Sequence, residues 1–454
     1  MEERLCQGCL ALRRRIATLE TEKQRLLELL EAERRKGKRQ AAPFAKGTLK
    51  KKPKKPGRKA GDDYGNHGHR PPPPAEQIDE IHEAPLPDVC PDCGGPLDET
   101  QVAQQYQVEI PRRPIHRQFN VHVGQCRDCG QRVQGRHVLQ TSDALGAAAS
   151  QLGPDAQAAI VELNKNAGLS HGKVSSVFRN LFGIQLTRGG SAHVVLRAGR
   201  RCQPIYQAIC RAVRRSAWAV GDETGWRVGG RLAWLHGFVA RRATAYVVDP
   251  TRSHAPAERL LGLAYRGILI HDGWSPYDRF EHARHQQCLQ HLLRRCAEML
   301  ETATGAAVCF PRRIAALLRE GLALRDRYAA GELNALELEA GRGRLQQVLE
   351  DAVYPPKTNA ANERLAAHLW QHIDELLTFL AVPGLDATNW RAELAMRFGV
   401  ILRKVWGGNR TWPGARAQAV LMSVWRTCWQ RGIVAVDYLS ERLRCRAIPV
   451  ALPP

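Results

Sequence analysis

A chain of 454 residues, 44% of them hydrophobic, is long enough for several domains around at least one large core. Its 67 lysines and arginines outnumber 45 acids, and the formal charge of +22 favours a polyanionic partner, nucleic acid before an anionic membrane surface. No apolar run approaches the roughly 20 residues of a membrane span, and MEERLCQGCL carries acids where a signal peptide would be basic, so no membrane partner and a cytoplasmic, nucleoid-associated protein are expected.

Leu5, Leu12, Leu19 and Leu26 recur every seven residues, with Cys9, Ile16, Lys23 and Leu30 on the companion positions. This predicts a short coiled coil over 1–36 and, through it, a homodimer or higher oligomer. Residues 37–84 hold too few apolar side chains to offset the entropy of ordering, which predicts a disordered basic linker. Its Lys50, Lys51, Lys52, Lys54, Lys55, Arg58 and Lys59 can neutralise phosphates without regard to base sequence. The run RPPPP at 70–74 stiffens the approach to the next module.

Residues 85–140 contain VCPDCGGPL and VGQCRDCGQRV. Cys90 and Cys93, then Cys126 and Cys129, form two knuckles, each followed by a glycine that lets backbone amides turn towards the thiolates. Four soft thiolates at this spacing suit tetrahedral Zn²⁺, structural because no position is left for water. The alternating text between them, QYQVEI and RQFNVHV, reads as strands, giving a zinc ribbon. Over 150–205, PDAQAAIVELNKNAG, LSHGKVSSVFRNLFG and TRGGSAHVVLRAGRR read as three short helices with Ser or Thr caps, a helix-turn-helix-like region suited to DNA.

From 210 to 440 the text fits one α/β domain, followed by a tail at 441–454. SAWAVGDETGWRV, RLAWLHGFVA and ATAYVVDPTRS read as a strand meander. A short helix and the buried strand YRGILIHDGW follow. The first and fourth strands each end in an acid, Asp222 and Asp272. Two carboxylates held together on neighbouring strands repel unless a cation lies between them, which is the requirement of a Mg²⁺ site. A third acid is needed for a two-metal centre, and Glu363 in TNAANERL and Glu393 in ATNWRAEL both qualify. A helical insertion at about 285–385 separates the fourth strand from the last helices. Within it, Cys288 and His291 lie one turn apart and Arg294 and Arg295 offer phosphate contacts, as does Arg391 beyond it, beside Glu393. Glu223 is expected on the opposite side of its strand from Asp222.

Asp222-Glu223-Thr224, the IHDGW segment with Tyr277, CLQHLLRR and the block from Pro383 to Gln430 together resemble the insertion-sequence-66 family of transposases. The resemblance implies the DDE class, with an RNase H-like catalytic fold, Mg²⁺ or Mn²⁺ as two ions, and Glu393 as the third catalytic acid. It implies double-stranded DNA, the terminal inverted repeats and a target, as partner, with element-encoded accessory proteins possible. Trp390 stands where the family pattern has a second asparagine, and Leu394 where an arginine follows the Glu. A multidomain α+β chain is thus expected, with a coiled coil, a zinc ribbon, a helical DNA-binding region and a catalytic domain carrying a large insertion. The expected function is metal-dependent DNA strand cleavage and strand transfer. The alternatives are an inactive DNA-binding relative, or an RNase H-like nuclease that does not join strands.

Overall fold

The computed structural model describes residues 72–98, 100–108, 110, 113–140, 145 and 151–445, with 15, 16, 18–20, 22, 23 and 26. The last group is helical, and its Ile16, Leu19 and Leu26 are exposed. The linker cations Lys50, Lys51, Lys52, Lys54, Lys55, Arg58 and Lys59 lie outside the described residues, as does most of the leucine heptad.

In the cysteine-rich region the two antiparallel strands β1 (Val123–Gln125) and β2 (Arg132–Gln134) flank the second knuckle. Among the described residues of QYQVEI no strand forms, contrary to its alternation, and the RQFNVHV text supplies only the start of β1. Val102, Val108 and Ile110 are exposed, so their apolar side chains bury nothing that would reward pairing.

The central sheet follows from three apolar runs separated by tight turns. β3 (Trp218–Val228), β4 (Arg231–Ala240) and β5 (Ala243–Asp249) form the expected meander, and Gly229 and Gly230, at φ 59° and 78°, supply the left-handed pair that closes the first hairpin. After the helix Ala255–Leu261, the four buried residues of β6 (Ile268–His271) pair parallel to β3. A fifth strand, β7 (Arg284–Gln287), lies parallel to β6, giving the order β5-β4-β3-β6-β7. Two expectations are corrected here. β3 does not end at Asp222 but runs on to Val228 against β4, and only its pairing with β6 stops near Val220. The insertion expected from about 285 begins with β7 rather than with helix.

On one face of the sheet Val220, Leu235, Tyr246 and Ile270 join a core that the helix Trp390–Trp406 covers and that extends to insertion residues such as Leu318, Leu345 and Phe379. The insertion helices Leu289–Thr302, Cys309–Ala329, Ala335–Val353 and Ala360–Gln371 therefore share a core with the sheet. On the other face Ala219, Phe238, Ala245 and Leu269 share a core with the helices Pro154–Val161, His171–Phe182, Arg188–Arg201 and Gln203–Arg214, the last of which lies against β4 and β5. Ser170 and Thr187 cap two of these helices as expected, accepting the N–H of Lys173 and Gly190. The third of these helices, part of the region expected to suit DNA, buries Ser191, Val194, Val195 and Ala198, and Gly199 lies so close to Ala417 that a Cβ would stand 2.7 Å from it. His193, Arg197 and Arg200 stay exposed on its other side.

The long helix Trp412–Gln430 covers the free edge of β5. Ser423 Oγ accepts the Tyr246 N–H at 2.9 Å and Thr427 Oγ1 the Thr244 N–H at 3.2 Å, so outward amides of the edge strand are satisfied inside the protein. Among the described residues no helix is long and apolar enough to cross a membrane.

Candidate functional site

The parallel register pairs Val220 with Ile270, and two further steps along both strands bring Asp222 beside Asp272. Asp272 sits where β6 gives way to a turn. Its Oδ1 accepts the Trp274 N–H at 3.0 Å, and Gly273 takes φ 89° between them. Glu393 comes from the first turn of the helix Trp390–Trp406. Burial first, then the charges of Glu223, Asp272 and Glu393, push the Asp222 carboxyl up to about 7. Acids that are far apart in sequence thus bear on one another electrostatically, though their ligand oxygens do not all come within 4.8 Å of one another. Glu363 is engaged elsewhere: its Oε2 accepts the Lys357 N–H at 2.6 Å at the start of its own helix. The structure therefore sets Glu393, and not Glu363, against the aspartates.

The loop before Glu393 is fastened to the start of the insertion. The Leu289 N–H donates to Ala387 O at 3.0 Å, and Asn389, 1% exposed, caps the Glu393 helix with both side-chain polar atoms unpaired. His291 Nε2 lies 3.9 Å from Glu393 Oε1, and its buried Nδ1 has no partner. Burial and Arg294 lower the His291 pKa, while Asp272 and Glu393 oppose this. Burial raises the Cys288 thiol pKa. Arg294 is exposed and Arg295 half-buried. Arg391 is committed within the protein, bonded to Asp386 and stacked on Trp390 at 4.6 Å and Trp218 at 5.5 Å. Trp390 also donates its indole N–H to Asp386 at 3.0 Å.

Glu223 follows the other face of β3, the side of Tyr277, as alternation requires. At Gly221, two residues earlier, a Cβ would stand 2.8 Å from the Tyr277 hydroxyl. The Glu223 side chain is 1% exposed, and its Oε1 accepts from Arg252 Nε at 2.9 Å and Nη2 at 2.7 Å. The Tyr277 hydroxyl reaches Oε2 at 3.4 Å. Arg252 lies between two indoles, 5.1 Å from Trp234 and 4.9 Å from Trp274. Neither Arg252 nor the tryptophans were singled out from sequence, since nothing in the spacing DPTRS or RLAWL joins them.

Behind Asp272, His271, His285 and Glu375 bring ligand-type atoms within 4.8 Å of one another, the one such group of three among the described residues. Hydrogen bonding argues against a metal there. The Gly273 N–H donates to His271 Nδ1 at 3.1 Å, so neutral His271 carries its proton on Nε2, facing His285 Nδ1 at 3.0 Å. His285 Nε2 then donates to Phe280 O at 3.1 Å. This chain uses the lone pair on His271 and leaves none for an ion. Burial holds His271 neutral, its pKa lowered to about 3. Glu375 instead pairs with His372 at 3.1 Å and accepts from Gln287 at 3.1 Å.

In the cysteine region each pair forms the expected turn. Gly94 and Gly130, both at φ 70°, donate to the carbonyls of Cys90 and Cys126 at 2.8 and 3.0 Å. Backbone amides of Cys93 and Asp92 lower the Cys90 thiol pKa, and those of Cys129 and Asp128 do the same for Cys126. Amides aimed at thiolates suit a Zn²⁺ knuckle, but the structure does not bring any three of the four thiols within 4.8 Å of one another.

A family model for the Transposase IS66 family matches residues 149–417, the span that holds the sheet, the insertion and all three acids. No curated protein matches the chain.

Proposed function

Since the chain belongs to the Transposase IS66 family, we propose that it binds the terminal inverted repeats of an insertion sequence and cuts and joins DNA at Asp222, Asp272 and Glu393. The observation that carries this reading is the placement of Asp222 on β3 near Asp272, which lies just past the end of the parallel strand β6, with Glu393 adding to their mutual repulsion. The strand order, three antiparallel strands followed by two parallel ones, supports an RNase H-like domain.

The three carboxylates offer hard oxygen ligands that fit Mg²⁺ or Mn²⁺. Such ions, when bound, activate the attacking water or 3′-hydroxyl and stabilise the departing oxygen. The residues themselves do the positioning. The sheet holds the two aspartates, the Trp274 amide fixes one carboxylate oxygen of Asp272, and the Leu289–Ala387 bond keeps the start of the Glu393 helix against the insertion. Cys90, Cys93, Cys126 and Cys129 would hold a structural Zn²⁺. Assembly as a homodimer or higher oligomer through the leucine heptad belongs to the same proposal, as does phosphate binding by the linker cations and by Arg294 and Arg295.

Nicking and joining of a labelled duplex carrying the inverted repeats, with Mg²⁺, tests the reading. Asp272→Asn and Glu393→Gln are expected to abolish both steps and leave end binding intact, while Glu363→Gln cuts normally. Binding lost in step with cutting would mean that these acids serve the fold alone. A wild-type protein that binds the ends and never nicks would point to an inactive relative.

A further inference from the structure

The clamp formed by the buried Glu223 carboxylate, the exposed Arg252 and the half-buried Trp234 and Trp274 has no part in the carboxylate chemistry, yet each side of it is joined to one of the aspartates. Glu223 follows Asp222 directly in β3 and takes two N–H groups of Arg252. Trp274 stacks on the same guanidinium while its backbone N–H donates to Asp272. β5 carries the arginine there: it runs three residues past the row Asp222–Gly237–Tyr246 before leaving the sheet. The loop is braced where it turns, by Asp249 accepting the Thr251 N–H at 2.9 Å and by the Arg259–Asp249 ion pair.

Two indoles and a carboxylate fix the plane of the guanidinium, so little rotamer entropy is left to lose on binding. Nε and Nη2 are taken by Glu223; among the described residues Nη1 meets no acceptor, and the side chain is 42% exposed. A rigid, weakly hydrated cation with outward N–H groups at an anionic edge suits a phosphate oxygen. Resting on the function proposed above, we propose that Arg252 holds a backbone phosphate of the DNA strand whose neighbouring phosphate lies at the acid pair. The contact is ionic and forms no covalent bond. Glu223 is a positioning residue that aims the guanidinium, and the two tryptophans keep it flat.

Truncating Arg252 alone would leave the buried Glu223 carboxylate without its cation, so the variant to use is the double one, Glu223→Gln with Arg252→Gln. The full chain is titrated by fluorescence anisotropy against terminal duplexes in which single phosphates near the element end are replaced by neutral methylphosphonates. For wild type, one position is expected to weaken binding on the order of tenfold. The double variant binds the native duplex correspondingly less tightly and is indifferent to that same replacement. Its salt dependence is expected to be shallower by about one phosphate contact. If every replacement weakens both proteins equally, or if the double variant binds and responds as wild type does, Arg252 is a structural partner of Glu223 and the proposal fails. A double variant that melts far below wild type leaves the test to Arg252→Lys, which keeps a charge against Glu223. The lysine protein should lose part of its affinity and show a smaller penalty at the same phosphate, and an unchanged penalty counts against the proposal. The readout is binding, so it also applies to Asp272→Asn protein. Coupling retained where wild type never nicks would sink the catalytic reading and leave the phosphate contact standing.

Discussion

Lys165 is buried in the π turn that ends the first helix of the core, bonded to Gln418 Oε1 at 2.6 Å and 5.0 Å from the Trp406 ring centre. No described carboxylate pairs with it, and desolvation lowers its pKa to about 7. Between about pH 7 and the ordinary lysine value the unfolded chain binds the extra proton, so the penalty of this side chain is largest below pH 7 and fades as pH rises. Thermal unfolding is therefore expected to shift upward from pH 7 to 9, and Lys165→Met to raise the melting temperature at pH 7 while flattening that slope. An unaltered slope in the variant would show that other groups set the trend. Asp222 is the converse case, a carboxylate whose pKa is raised first by burial and then by crowding of like charge. Its pairing with Asp272 was legible in the sequence because both acids follow apolar runs. The clamp on Glu223 was not legible, since Arg252 and Trp274 meet only through the tertiary fold.

The same limit governs whole elements. The meander and β6 could be read from period-two alternation and from a continuous apolar run. β7 could not, because RHQQ looks like loop text. Gln286 and Gln287 are nevertheless fully buried. Gln286 donates to Leu376 O and accepts the Phe379 N–H, and Gln287 bonds His368 and Glu375. Polar side chains that find every partner inside the protein leave no hydrophobic signature. The helix Trp412–Gln430 makes a related point at the opposite edge, where hydroxyls rather than a further strand close β5. Ser423→Ala would leave the buried Tyr246 amide without an acceptor and is expected to cost about 1–3 kcal/mol in urea unfolding. A loss below about 0.5 kcal/mol would mean that water or a shifted backbone replaces the hydroxyl.

At the scale of the molecule, the cysteine region and the sheet-centred core are built on different physics. Among its described residues the segment 85–140 has one short hairpin and many exposed apolar side chains, so its order depends on metal ligation if the four cysteines bind Zn²⁺. Chelation is expected to open 85–140 to protease while 151–445 stays resistant. Equal resistance of both segments after full chelation would remove Zn²⁺ from the account. The order of the pieces, basic linker, cysteine pairs and acid-bearing sheet, was readable from composition and spacing. The docking of the Arg188–Arg201 helix into the core was not, because Gly199 and Ala417 are small residues whose closeness appears only in three dimensions.

The neck that joins Leu289 to Ala387 has a consequence for the history of each newly made chain. Asp222 and Asp272 meet through neighbouring strands, but Glu393 follows Asp272 by more than a hundred residues, most of them in the insertion. Closing so long an excursion is slow compared with zipping adjacent strands. On the ribosome the two aspartates are made before the glutamate and can be aligned before it arrives. If the proposed function holds, a half-made or half-folded chain could hold DNA but not cut it, and only the finished molecule is armed.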